Sequence, residues 1–246
     1  MGCLYDYSDL LALANGNSGV RRGVVVDTNV LIAATYDPDR MNEFSGDLLD
    51  LIFEEDIPIY CNFNTRMEFL EIYRRIILTE ALLEFSVGPV QKFLSETLTR
   101  RLKSVKTKNI ERERKNQSPF RFGEKDLKEI MLELVKISDD GRDLWTVLCV
   151  DRVGGKLEAA WTNAEAKFGL NFMDSPRSQA WEDAVHFMEQ HGLSSSDAMI
   201  LNEFLVSKFS LLISNDSDLG LALLRLKPLE KNCIVPKEIK DLLLKL

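Results

Sequence analysis

Histidine is nearly missing from this chain: 246 residues carry two, His186 and His191, and neither stands near a cysteine. The four cysteines (Cys3, Cys61, Cys149 and Cys233) are scattered, so no zinc knuckle or redox pair arises from their spacing. That removes zinc chemistry and fits a reducing compartment. No apolar run reaches membrane-spanning length and no basic-then-apolar leader is present, so no membrane partner is expected and the expected location is cytoplasmic. Met1-Gly2-Cys3 opens like a lipidation signal, but Asp6 stands where myristoylation requires Ser or Thr. A glycine-rich phosphate loop is also lacking, which leaves nucleoside-triphosphate hydrolysis without support. Positive charge is in deficit: 31 basic against 39 acidic residues give a net charge of −8. Taken as a sum, that argues against a nucleic-acid partner.

What the chain does have is apolar substance: 45% of residues are hydrophobic and 28% charged. This is enough for one large domain, or a core domain carrying an insertion. The run Val24-Val25-Val26-Asp27 reads as a buried parallel strand ending in a carboxylate, with Val30–Thr35 continuing as a helix. Leu211-Leu212-Ile213-Ser214-Asn215-Asp216 repeats the pattern. Ile59-Tyr60-Cys61 and Cys233-Ile234-Val235 predict further strands. Helices are predicted over 4–17, 45–55, from Asn64 or Thr65, over 79–101 with a break at Gly88-Pro89, and over 126–137, 180–191 and 237–246. Residues 144–150 fit a strand or a buried helix, and 151–171 read as irregular with a hinge at Gly154-Gly155.

Asp27, Glu68, Asp197 and Asp216 all fall at strand ends or helix starts. Each has an ordinary structural explanation. Asp27 can cap a helix, Glu68 has capping-box spacing from Thr65, Asp197 can complement a helix dipole, and Asp216 suits a turn. On an open parallel sheet, however, such positions converge on one edge. Carboxylates gathered there repel, and a hard divalent cation such as Mg²⁺ or Mn²⁺ relieves them through oxygen ligands. Such an ion activates water and neutralises charge on a phosphodiester.

Charge is unevenly spread. Between Arg100 and Arg121 nine basic residues face two acids, so this stretch is +7 and the remainder −15. It reads either as a solvated face or as a footprint for a phosphate backbone. Within it Arg112, Arg114 and Lys115 are the candidate RNA-binding residues.

The order Val-Val-Asp27-Thr-Asn29, then Glu68, then Ser-Ser-Asp197-Ala-Met-Ile, then Ile-Ser-Asn-Asp216-Ser-Asp218-Leu resembles the PIN-domain nucleases, over residues 22–78 and 177–236. The resemblance implies a three-layer α/β/α sandwich with a mainly parallel central sheet. It implies a single PIN-like domain over 1–246, with a core at 20–99 and 177–236 and a mostly helical insertion at 100–176. It implies a metal-dependent endoribonuclease in which Asp27, Glu68, Asp197 and Asp216 bind Mg²⁺ or Mn²⁺. Asp218 would be an additional acid, Glu71 a nearby candidate, and Asn29 and Ser214 polar residues that orient ligands or water. The products would carry 5′-phosphate and 3′-hydroxyl ends. Small members such as the toxins of toxin–antitoxin pairs lack a counterpart of the middle segment. An antitoxin-like protein inhibitor and a homodimer are partner arrangements the resemblance leaves open.

Two other readings compete. One is a PIN scaffold that keeps its acids but serves as an RNA-binding or regulatory module. The other is a haloacid-dehalogenase-like phosphatase, which requires Asp-x-Asp where this chain has Asp27-Thr28-Asn29.

Overall fold

Three β-branched side chains in succession disfavour a helix and suit a strand covered on both faces. In the computed structural model, which describes residues 4–16, 18–139, 141–173 and 181–245, Val24–Val26 forms such a strand with every side chain buried. The N-terminal elements are β1 (Leu4–Tyr5), α1 (Leu10–Gly16), β2 (Val24–Val26), α2 (Thr28–Thr35), α3 (Asn42–Glu54) and β3 (Ile59–Cys61). The middle holds α4 (Phe63–Phe85), α5 (Glu96–Arg114), α6 (Glu124–Leu134), the short pair β4 (Ser138–Asp139) and β5 (Arg142–Asp143), α7 (Leu144–Leu148) and α8 (Lys156–Phe168). The chain closes with β6 (Leu170–Phe172), α9 (Trp181–His191), α10 (Ser195–Val206), β7 (Leu211–Ile213), α11 (Ser217–Leu226), β8 (Asn232–Ile234) and α12 (Lys237–Leu243).

Six strands form one sheet in the order β1-β8-β7-β2-β3-β6. Every pairing in it is parallel, and Val25 lies opposite both Tyr60 and Leu212. The fold is therefore α/β, since each parallel connection needs a crossover and helices supply it. No helix is long and apolar enough to cross a membrane among the described residues.

The chain divides into two compact units. The first comprises Met1–Thr35, Met41–Phe69 and Thr162–Leu246, and the second Tyr36–Arg40 and Leu70–Trp161. The first holds the sheet, with a core that joins Val25 and Leu212 to Ala198, Leu201 and Phe204 of α10 and to Leu219 and Leu223 of α11. The second is built on α5, α6 and α7, whose Leu98, Leu102, Leu127, Ile130, Leu134, Leu144 and Leu148 pack around Phe122. The edge strand β6 lies inside the stretch that sequence assigned to the insertion, yet it pairs with β3 and belongs to the sheet.

Several local expectations need correction. Leu4–Tyr5 is a strand rather than the start of a helix, because β8 offers its open edge to it: Leu4 pairs with Cys233 and Tyr5 with Ile234. Residues 151–171 are not irregular. Trp161, Ala164 and Phe168 are buried at helical spacing on α8, and Gly169 ends the helix in the left-handed region at φ 58°. Residues 144–150 resolve as α7 followed by a single π-helical turn over Cys149–Val153. The helix expected from 180 begins at Trp181 among the described residues and stops before Gly192, whose φ is 69°.

Candidate metal centre

In a parallel sheet all strands end on one edge. Ligands collect where neighbouring strands send their connections in opposite directions. Here that point lies between β2 and β7, since the chain moves from β2 towards β3 but from β7 towards β8. Asp27 is the first residue beyond β2 and Ser214 the first beyond β7. The Asp27 amide donates to the Ile213 carbonyl at 2.9 Å, which carries the ladder one residue past the strand end. The Asp27 carbonyl accepts from the amides of Val30 and Leu31 and so opens α2.

The Asp27 side chain is 0% exposed. Its Oδ1 accepts from the Thr28 amide at 2.7 Å and its Oδ2 from the Ser214 hydroxyl at 2.8 Å. Burial pushes the carboxyl up to about 8; the Ser214 hydrogen bond opposes this, while the charges of Glu68, Asp197 and Asp216 add to it.

Glu68 reaches the same crevice from α4. Sequence placed the cap of this helix at Asn64 or Thr65 and made Glu68 a capping partner; both assignments are corrected. Asn62 does the capping, its Oδ1 accepting from the Thr65 amide at 2.7 Å and the Thr65 hydroxyl at 2.9 Å, and the helix starts at Phe63. The Glu68 carboxylate is thereby free of the helix end. Its Oε2 instead accepts from Thr28 Oγ1 and from Ser196 Oγ, each at 2.8 Å.

Asp197 enters on the first turn of α10, where Ser194 is the N-cap: the Asp197 amide donates to the Ser194 hydroxyl at 3.2 Å. The Ser194 hydroxyl donates to Asp197 Oδ2 at 2.7 Å. Burial and the neighbouring Glu68 and Asp218 charges hold Asp197 above the usual carboxylate range, against the Ser194 hydrogen bonds.

One carboxylate oxygen each of Asp27, Glu68 and Asp197 lies within 4.8 Å of the others. These three come from separate elements of the first unit, and their nearest sequence separation is the stretch between residues 27 and 68. Two of their oxygens, Glu68 Oε1 and Asp197 Oδ1, have no hydrogen-bond donor among the described residues. An all-oxygen set with free lone pairs and unrelieved repulsion suits a hard divalent cation, and among the described residues no cysteine or histidine joins it.

The fourth predicted acid behaves differently. Asp216 is outside that group and serves as N-cap of α11, its Oδ1 accepting from the Asp218 amide at 2.7 Å. Burial, with Asp197 and Asp218 nearby, raises its pKa. Asp218 is exposed on the first turn of α11. Ser214 links Asp27 to this loop, since its hydroxyl oxygen also accepts from the Asp216 amide at 2.9 Å. Asn215 is clamped at both ends, accepting from the Tyr7 hydroxyl and donating to Ser45 Oγ at 3.0 Å.

Asn29 lies half-buried on the first turn of α2, but it is Thr28 that supplies the hydroxyl to Glu68. In the second unit Glu71 forks onto Arg74, with Nε and Nη2 contacts of 2.9 and 2.8 Å, and is a salt-bridge residue. The basic stretch is partly neutralised: Arg100 pairs with Glu96, Arg101 with Asp126 and Glu129, and Arg121 with Asp39. Arg112 donates from Nε to the Ser118 carbonyl at 2.6 Å, while Arg114 and Lys115 are exposed at the end of α5.

Thr28 and Ser196 escaped sequence reasoning. Thr28 follows an acid that already explained the position, and Ser196 is the third of three serines that all suit a helix start. Compared with known proteins, the chain matches no family model, no curated protein and no solved structure.

Proposed function

We propose that this chain is a Mg²⁺- or Mn²⁺-dependent endoribonuclease with a PIN-like core. The observation that carries the reading is the meeting of Asp27, Glu68 and Asp197 within 4.8 Å at the switch point of a parallel sheet. Asp27, Glu68 and Asp197 would hold the cation, and a bound divalent ion supplies Lewis-acid polarisation and makes water a better nucleophile at neutral pH. Thr28 and Ser196 would hold Glu68 in place by donating to its Oε2, and Ser214 would hold Asp27 by donating to its Oδ2. Asp216 adds negative potential that concentrates cations in the crevice. Arg114 and Lys115, two of the exposed cations of the basic stretch, would bear on phosphates of the RNA.

The test is cleavage of a labelled single-stranded RNA with Mg²⁺, with Mn²⁺ and with EDTA, beside the Asp27→Asn variant. The expected result is cation-dependent cleavage giving 5′-phosphate ends, abolished by EDTA and by the substitution. Cleavage that survives Asp27→Asn overturns the proposal. Cation binding without any cleavage favours the scaffold reading, in which the acids only shape an RNA-binding surface.

A further inference from the structure

Residues 18–22, 207–210 and 229–231 immediately precede β2, β7 and β8. The strands are parallel, so these segments share the amino-terminal edge of the sheet, opposite the edge that carries Asp27 and Ser214. Together they line a cavity of about 630 Å³, a size that holds small organic ligands.

Its chemistry is unlike that of the chain as a whole. Arg22, Lys208 and Lys231 line it against the single acid Glu230, within a protein of net charge −8. Among the described residues neither Arg22 nor Lys208 is paired with a carboxylate; the Lys208 ammonium lies only over the Phe209 ring, 5.5 Å from its centroid. Lys231 is held rigidly, its ammonium donating to the carbonyls of Phe204, Ser207 and Phe209 at 2.9, 2.7 and 2.6 Å. All three of its protons are used, so it offers charge rather than a donor. Burial pushes this ammonium down to about 8, a desolvation that a nearby anion relieves.

The second observation is Ser210. It lines the cavity, is only 9% exposed, and its hydroxyl has no hydrogen-bond partner among the described residues. A buried hydroxyl without a partner is costly, and an oxyanion would satisfy it. Leu229, 80% exposed on the rim, adds an apolar wall.

We infer that this cavity is an anion site for a phosphate monoester of mononucleotide size, with Arg22, Lys208 and Ser210 donating to the phosphate. The source is either a free nucleotide or the 5′-phosphate of an RNA end, and both present the same dianion. Calorimetric titration in EDTA, which keeps the carboxylate centre free of cations, tests it with AMP, adenosine and a 5′-phosphorylated dinucleotide. AMP or the phosphorylated dinucleotide should bind and adenosine should not; binding by the dinucleotide alone assigns the site to a strand end. The Arg22→Ala/Lys208→Ala variant should weaken binding by about tenfold or more, the loss of charge-assisted hydrogen bonds. Ser210→Ala should weaken it without lowering the thermal midpoint, because it removes a group that has no partner in the free protein. Equal affinity for adenosine, no binding of either phosphorylated probe, or affinity unchanged in a folded double variant would overturn the inference.

Discussion

The Ser214 hydroxyl bridges two acids that are 189 residues apart in the chain: it donates to Asp27 Oδ2 at 2.8 Å and accepts from the Asp216 amide at 2.9 Å. One side chain therefore sets both the Asp27 rotamer and the start of the β7–α11 turn. Ser214→Ala removes a donor from a fully buried carboxyl and leaves the Asp216 amide without its acceptor. The expected loss is about 1–3 kcal/mol of stability, read from urea denaturation. An unchanged midpoint would show that neither hydrogen bond matters to the fold.

Asp27→Asn keeps the shape but removes an ionisable carboxyl that has no counter-ion among the described residues. In EDTA above about pH 8, where the parent's Asp27 is ionised, the variant should melt at or above the parent's temperature, because repulsion with Glu68 and Asp197 is relieved. Mn²⁺ should raise the melting temperature of the parent and leave that of the variant nearly unmoved. Equal Mn²⁺ shifts in both proteins would place the ion elsewhere.

Cation-free stability should fall as pH rises. Asp27 titrates at about 8 in the folded protein against an ordinary value of 3.8, so between these values the native state holds a proton that the unfolded chain has released. Stability is then greatest below the unfolded value and is lost as pH climbs through the native one. Asp197 and Asp216 are raised too and act in the same direction. Urea midpoints in EDTA across that window provide the measurement, and a midpoint that increases with pH contradicts the burial of Asp27.

Glu68 depends on two hydroxyls that its own helix does not provide. Thr28→Val and Ser196→Ala each remove one donor to Oε2 while sparing all three carboxylates. By analogy with other groups that orient metal ligands, each should weaken Mn²⁺ binding by about tenfold, measured by calorimetry. Full affinity in the double variant would mean that packing alone orients Glu68.

Replacing Arg114 and Lys115 with Ala should weaken RNA binding and reduce the salt slope by about one for each phosphate that is no longer neutralised. This pair is a cleaner probe than Arg112, whose Nε secures the loop at the Ser118 carbonyl. An unaltered affinity and slope would make the basic stretch a solvated face.

Much of the sheet was legible because its signals are short-range. Val24–Val26, Ile59–Cys61 and Leu211–Ile213 are strands where β-branched and apolar runs predicted them, and α3 and α6 follow apolar stripes of helical period. Two misreadings had local remedies: Trp161, Ala164 and Phe168 already stood at helical spacing, and Asn62 was as good a cap as Asn64. The misreading of Leu4–Tyr5 had none, because its partner β8 lies more than 200 residues further along.

The amino-acid order by itself determined that acids would stand at strand ends and helix starts, since caps, turns and strand termini are set by neighbours a few residues away. Only the tertiary structure decided that Asp27, Glu68 and Asp197 share a crevice while Asp216 caps α11, and that Thr28 and Ser196 serve Glu68. Those outcomes follow from strand order and from the register of parallel pairs, which depend on burying both faces of the sheet at once. No window of sequence contains that condition.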